Sequence, residues 1–266
     1  MDRHASIEPA PADGRSRGAV SPSTLNLLCL PYSGASAMVY SRWRRKLPAW
    51  LQVRPVELPG RGARLGEPLH TDLQALARQL AHEQRAVANA PYALLGHSLG
   101  ALVAFELAHE LQVLGCPPPV ALFACGTAAP TRREDYDGAN WREPKSDAEL
   151  IAELRKLGGT PEEVLANEEL MGLTLPVLRA DFLLCGRYAY RQRAALSCPL
   201  HVLGGTVDRA SEEQLLAWRR EATGDFSLEL FPGGHFFIHE HEDAVLKQMT
   251  STLQSICQPL SQLSFN

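Results

Sequence analysis

An α/β architecture, with a mostly parallel central sheet, helices on both faces and one helical insertion, is predicted by three observations. Short apolar runs alternate with helix-patterned segments from Leu25 onward. The widest break in that alternation, from about residue 130 to residue 193, holds helical signals and no strand. The segment Gly96-His97-Ser98-Leu99-Gly100 sits where one apolar run ends and an apolar helix begins. Strands that alternate with helices pair in parallel, because each crossover helix carries the chain back to its starting edge.

The strand candidates are residues 25–31, 51–58, 92–97, 119–125, 199–203 and 226–231. Each is short and largely apolar, as a strand covered on both faces should be. Residues 71–88 place Leu73, Leu76, Ala77, Leu80, Ala81 and Val87 on one helical face. Residues 99–114 are apolar nearly all round, the pattern of a central buried helix. Two further helices are predicted over 211–222 and 242–256, the last with Val245, Met249, Leu253 and Ile256 along one side. Inside the insertion, helical stretches cover 147–157, 161–165 and 168–190, with Ser146 or Asp147 as the first cap. A plain connector would be far shorter, so residues 130–193 read as a helical lid.

The chain has 266 residues, and its continuous alternation reads as one domain over 23–260. Residues 1–22 are rich in Ala, Pro, Gly, Ser and Arg and lack the apolar stretch of a secretory signal, so a disordered leader is expected. Residues 261–266 read as a short tail. No run approaches the roughly 18 apolar residues of a membrane span. A net charge of −4 excludes a generally basic nucleic-acid binder, although not a local basic patch. Cys29, Cys116, Cys125, Cys185, Cys198 and Cys257 form no C-x₂-C pair, and several lie in strand-like runs. Buried free thiols in a reducing cytoplasm are expected, with no zinc site.

The chemistry is read first from Ser98. A turn tight enough to join a strand directly to a helix tolerates no bulky side chain two residues either side of its centre, hence Gly96 and Gly100. The serine hydroxyl then stands at the carboxyl edge of the sheet, beside a helix N-terminus that favours negative charge. Serine needs a base to take its proton. His235 follows the last strand candidate and a Pro232-Gly233-Gly234 turn, where the base falls in the chain order Ser…Asp…His. His97 lies inside the turn with its side chain expected to point elsewhere, while His239 and His241 fall on a following helix. The orienting carboxylate is expected at Asp208, directly after the strand that precedes the histidine, with Asp135 and Asp137 as runners-up. Oxyanion donors are expected from the backbone N–H of Leu99 and of Ser33, with Tyr32 as second choice for the latter, in the glycine-containing loop after the first strand.

With these residues in place, the chain resembles the stand-alone type II thioesterases of polyketide and nonribosomal peptide assembly lines, within the α/β-hydrolase fold. The resemblance covers about residues 25–253. It rests on LPYSGAS at 30–36, ELPGRGARLGEP at 57–68, GHSLGA at 96–101, LGGTPEEVLANEELMGLTLPVLRADF at 157–182, GGTVD at 204–208 and GGHFFI at 233–238. It implies hydrolysis of acyl groups from the phosphopantetheine arm of acyl or peptidyl carrier proteins, which clears stalled or misprimed chains. It also implies Ser98, Asp208 and His235 as the triad, a helical lid over the acyl pocket, no cofactor or metal, and neither nucleic acid nor membrane as partner. Two departures keep a backbone N–H in place: Ser33-Gly34-Ala35 stands where the family often has adjacent glycines, and Leu99 where it often has methionine. Fused chain-terminating domains often carry the acid on the loop closer behind the nucleophile. Here that strand ends in Cys125-Gly126-Thr127, which favours the stand-alone type.

Two sets of substrate contacts are expected. In the lid, Leu170, Met171, Leu173, Leu175, Leu178 and Phe182 should turn an apolar side to the site, with Met171 and Leu175 touching the acyl chain. For an acidic carrier with a phosphate on its arm, Arg61 and Arg44 should supply positive charge, although charge on a helix such as 42–46 is also its ordinary solvated face. The alternative activities on the same fold are a general carboxylesterase or an acyl-CoA thioesterase. A noncatalytic binding protein would lack a triad member.

Overall fold

The computed structural model describes residues 24–137 and 141–263. The leader 1–22 and residues 264–266 of the tail lie outside the described residues, while the last helix runs into the tail as far as Leu263.

Six strands form one sheet: β1 (Leu25–Leu30), β2 (Leu51–Pro55), β3 (Tyr92–His97), β4 (Leu122–Cys125), β5 (Leu200–Gly205) and β6 (Phe226–Phe231). The spatial order is β2-β1-β3-β4-β5-β6 and every pairing is parallel. The architecture is the expected α/β arrangement, a parallel sheet with a separate core on each face. Alternating side chains point to opposite faces. Leu28, Leu30, Leu94, Leu122 and Val202 therefore enter one core, and Leu27, Cys29, Leu95, Phe123 and Leu203 the other. This is why the central strands are apolar throughout rather than alternating with polar residues.

The short α1 (Trp43–Lys46) buries Trp43 on the second face. The first face is covered by α2 (Leu73–Ala88) and α3 (Leu99–Val113). Asp72 caps α2 by accepting the Ala75 N–H. Four strands differ in their bounds from the sequence reading: β1 ends one residue earlier, β2 three residues earlier, β4 starts three residues later, and β5 runs over 200–205 instead of 199–203. β2 stops at Pro55, although the Val56 N–H still donates to the Cys29 carbonyl at 2.9 Å, and β4 starts only after Pro117-Pro118-Pro119.

Between β4 and β5 lie α4 (Arg133–Asp137), α5 (Asp147–Leu157), α6 (Glu162–Leu165) and α7 (Glu168–Gly186), and no described residue of 130–193 is in a strand. Ser146 and Glu149 form a reciprocal cap on α5. Pro176 sits inside α7, where it removes one intrahelical donor. Leu150, Leu154, Leu165, Met171, Leu175, Leu178 and Phe182 make a core for this insertion, with Trp141 stacked on Phe182 at 4.4 Å between ring centroids. After β5 come α8 (Glu212–Leu216), which tightens into a 3₁₀ turn over Ala217–Glu221, then α9 (Phe237–Glu240) and α10 (Glu242–Leu263). The single helix read over 211–222 is thus two pieces, and the 3₁₀ piece carries the fully buried Trp218, whose Nε1–H donates to the Thr127 carbonyl at 2.9 Å.

The strand order reverses at β1, which pairs with β2 on one side and β3 on the other. Ligands of open parallel sheets sit outside the carboxyl ends of the strands at such a switch point. The loop after β1 holds Ser33, and the turn after β3 holds Ser98.

Candidate active site

Ser98 is the only non-glycine among the described residues with positive φ, at φ 55° and ψ −117°. Strain of this kind is maintained by the surroundings. The Ser98 N–H donates to the Cys125 carbonyl at 2.8 Å, and its carbonyl accepts from Ala101 at 3.0 Å, so β4 and the first turn of α3 clamp it from both sides. A methyl group at Gly96 would run into the Gly100 carbonyl, and one at Gly100 into the Leu30 carbonyl. Both glycines are therefore required by contact as well as by the turn.

His235 stands in the loop after β6, and its Nδ1 lies 3.1 and 3.0 Å from the two carboxylate oxygens of Asp208, in the loop after β5. Because a carboxylate only accepts, Nδ1 carries the proton and Nε2 is left to accept. Both side chains are buried, and Asp208 Oδ1 also takes the Arg209 N–H at 2.7 Å. Backbone bonds lace the two loops together: Thr206 N–H to the Phe231 carbonyl at 2.8 Å, and Val207 N–H to the Gly233 carbonyl at 3.0 Å. Asp135, by contrast, is on α4 and pairs with Arg132 at 2.8 Å, and the side chain of Asp137 lies outside the described residues.

His97 has a part that its place in the turn did not suggest. Its ring is fully buried 5.0 Å from that of His235, and Nε2 donates to the His235 carbonyl at 2.8 Å. Burial, with the neighbouring His235 adding to it, pushes its pKa well below the ordinary value and keeps it neutral. The signal available in the sequence was the end of a fully apolar strand, where only a neutral histidine is tolerated.

Ser98 and His235 line one narrow cavity of about 30 Å³, with Tyr32, Ser33, Leu178 and Phe182 among its walls. Among the described residues, no protein acceptor takes the N–H of Leu99, of Ser33 or of the second choice Tyr32, whereas those of Gly34 and Ala35 are engaged by Asp181 and by the Tyr32 carbonyl. Larger grooves exist, one of about 1010 Å³ between Met38, Arg42, His239 and Glu242, but neither Ser98 nor His235 lines it. Among the described residues no group of three or more His, Cys, Asp or Glu side chains is placed to hold a metal ion.

Five residues expected at the site are placed differently; of these, Leu170 and Leu173 are exposed and do not line the Ser98 cavity. Arg61 is buried, with 6% of its surface exposed, and forks onto Asp181 of α7, so it offers no charge at an entrance. Met171 and Leu175 pack inside the insertion and do not line the Ser98 cavity, which Leu154, Leu157, Leu178 and Phe182 reach instead. A helix buries more than one side when it packs on its own subdomain as well as on a helix that covers the sheet, and α7 does both, meeting α5 and α6 on one side and α3 on the other. Arg44 is exposed on α1, outside the cavity. Sequence reasoning also missed Arg133 and Arg209, whose guanidinium groups lie over the Tyr136 ring at 4.8 and 4.3 Å in the cavity wall.

A parallel sheet with a strained serine on its β3–α3 turn, beside a histidine paired to a carboxylate, defines an α/β-hydrolase. The thioesterase-domain family profile matches residues 25–253, and the chain belongs to that family. It is 37% identical over 243 residues to the gramicidin S biosynthesis protein GrsT of Aneurinibacillus migulanus, covering 90% of this chain and 93% of that one. Its structure is similar to that of ClbQ from the colibactin nonribosomal peptide and polyketide pathway, with a TM-score of 0.79, 33% identity, and coverage of 88% of this chain and 98% of that one. It is also similar to the type II thioesterase BorB of the borrelidin cluster, with a TM-score of 0.76, 37% identity, and coverage of 87% and 93%. The chain is a thioester hydrolase of the type II thioesterase class.

Proposed function

We propose that the chain hydrolyses acyl groups from the phosphopantetheine arm of acyl or peptidyl carrier proteins through a serine acyl-enzyme, as an editing enzyme of a polyketide or nonribosomal peptide assembly line in the cytoplasm. The observation that carries the mechanism is that His235, which shares a cavity with Ser98, is paired behind it to the Asp208 carboxylate. His235 Nε2 takes the Ser98 proton as Oγ attacks the thioester carbonyl. The Leu99 and Ser33 amides hold the oxyanion, and the Asp208 carboxylate stabilises the imidazolium. Collapse breaks the C–S bond, and His235 returns the proton to the departing thiolate. Water then attacks the acyl-serine, giving a proton to His235; the C–O bond to Ser98 breaks and His235 returns that proton to Oγ, releasing the acid and free Ser98.

Leu178 and Phe182 of the insertion wall the cavity beside Ser98, where the acyl chain is proposed to lie. The deciding experiment compares one acyl group on a carrier protein, on coenzyme A and on a simple alcohol, with Ser98→Ala as control. The carrier-bound thioester should have the highest kcat/KM, and Ser98→Ala should abolish turnover of all three. A preference for the ester would refute the reading. Arg44 is the charge proposed to meet the carrier. Arg44→Ala should raise KM for the carrier substrate, hardly alter a small thioester, and lose its effect at high salt. Equal changes on both substrates would remove Arg44 from the docking surface.

A further inference from the structure

A charge pair buried between the insertion and the sheet edge has no part in the proton transfers above. Asp181, on the second half of α7, has no exposure to solvent. Its Oδ2 accepts Arg61 Nη1 at 2.5 Å, and its Oδ1 accepts Arg61 Nη2 at 2.7 Å. The same Oδ2 accepts the backbone N–H of Gly34 at 2.7 Å. One carboxylate thus joins the loop after β1, the loop after β2 and the helical insertion. Stability alone is a weak account of it. Removing two charges from water costs several kcal/mol per ion, and an apolar pair of the same volume is often as stable or more so. Among the described residues Arg61 Nε has no hydrogen-bond partner, so within them the pair is not fully satisfied.

What the pair holds is the peptide next to Ser33. The peptide plane that carries the Ser33 N–H also carries the Tyr32 carbonyl, and that carbonyl accepts from Ala35 N–H at 3.0 Å. The following plane carries the Gly34 N–H, which Asp181 takes. The two bonds fix successive peptide planes, and so the direction in which the Ser33 N–H points. An oxyanion donor works only if it is aimed before the charge develops. Arg61 in turn holds the carboxylate with both oxygens committed, so that Asp181 cannot rotate away from Gly34.

We propose that Asp181, braced by Arg61, is a positioning residue that orients the Ser33 oxyanion donor and ties that orientation to the seating of α7. The proposal rests on the serine thioesterase reading above. It predicts a loss in the transition state and not in ground-state binding. Removal of one oxyanion donor typically lowers kcat by roughly 100- to 1000-fold, and a misaimed one should lose about 10- to 100-fold.

The test uses two double variants of the full chain. Asp181→Leu with Arg61→Met replaces the pair by apolar groups and leaves Gly34 N–H without an acceptor. Asp181→Asn with Arg61→Met also removes the charges but keeps a side-chain oxygen for Gly34. Both are assayed for melting temperature, for kcat on an acyl thioester, for affinity for an acyl trifluoromethyl ketone that forms an oxyanion on Ser98, and for affinity for the matching non-hydrolysable thioether. The leucine variant should lose at least tenfold in kcat and by a similar factor in ketone affinity, with thioether affinity within about twofold. The asparagine variant should recover most of the kcat at a similar melting temperature. If the two variants lose kcat alike, or thioether affinity falls as far as ketone affinity, the positioning role is refuted. Should the leucine variant fail to fold, Asp181→Ala with Arg61→Met takes its place in the same comparison. Native chain and Ser98→Ala in the same assay keep the two questions apart: a native chain that does not turn over the thioester overturns the function, not the tether.

Discussion

Gly126 is the position at which one added methyl group should separate backbone strain from damage to the site. It follows β4 with φ +64°, and its N–H donates to the Leu203 carbonyl at 2.9 Å. A Cβ there would stand 2.7 Å from His97 Nε2 and 2.9 Å from His97 Cδ2, but at an ordinary 3.6 Å from Asp208 Oδ2. The ring cannot yield freely, because it is fully buried and donates to the His235 carbonyl. Gly115 supplies the control, with φ +78° and nothing within 4 Å of its would-be Cβ. Alanine in this conformation costs about 1–2 kcal/mol on backbone grounds alone. Gly115→Ala should therefore lower the melting temperature by about 4 °C, at roughly 2–4 °C per kcal/mol for a domain of this size. Gly126→Ala adds overpacking of about 1–3 kcal/mol and should lower it by about 10 °C. Because the displaced ring holds the loop of the proposed base, kcat should also fall about tenfold, since errors of under an ångström in a catalytic group cost that much. Urea or thermal unfolding with hydrolysis rates on the same samples makes the measurement. A Gly126→Ala chain no less stable than Gly115→Ala, with native kcat, would refute the reasoning.

Asp208→Asn should lower kcat by about four orders of magnitude, because the carboxamide no longer fixes the His235 tautomer; Asp135→Asn should leave it within about twofold, and the reverse result would move the acid to α4. Phe182→Ala, in the cavity wall, should shift preference toward longer acyl chains. Met171→Ala, inside the insertion, should cost about 2–5 kcal/mol of stability and leave that preference unchanged, as read by a chain-length series beside a melting curve. His109, packed edge-on against Phe105, is pushed down by burial to about 4. Its folded value lies below its unfolded one of 6.5, so the unfolded chain binds the extra proton as pH falls through that window. Stability should drop by about 2 kcal/mol between pH 7 and pH 5 from this residue, and His109→Gln should flatten that slope in an unfolding series across pH.

Short-range signals carried the sheet, the serine turn and the residues proposed as its base and acid. The apolar strands, Gly96 and Gly100 around Ser98, and the Gly233-Gly234 turn before His235 each express a constraint that acts within a few residues, so reading along the chain is enough to see them. Parallel topology then brings the carboxyl ends of β3, β5 and β6 to one edge, which is why order along the chain pointed to Asp208. What lay beyond the sequence was the partner of each long side chain. Arg61 reads as an exposed loop cation until Asp181, 120 residues away, is seen to take both of its terminal nitrogens in a buried interior. Met171 and Leu178 are both apolar residues of one helix, and only the packing of α7 on two neighbours decides that the first fills the insertion while the second walls the cavity. His97 is the same case in reverse, since the strand's alternation turned its ring away from the serine but only the fold set it under the carbonyl of His235. Burial and pairing depend on what arrives from elsewhere in the chain, and the tertiary structure alone decides that.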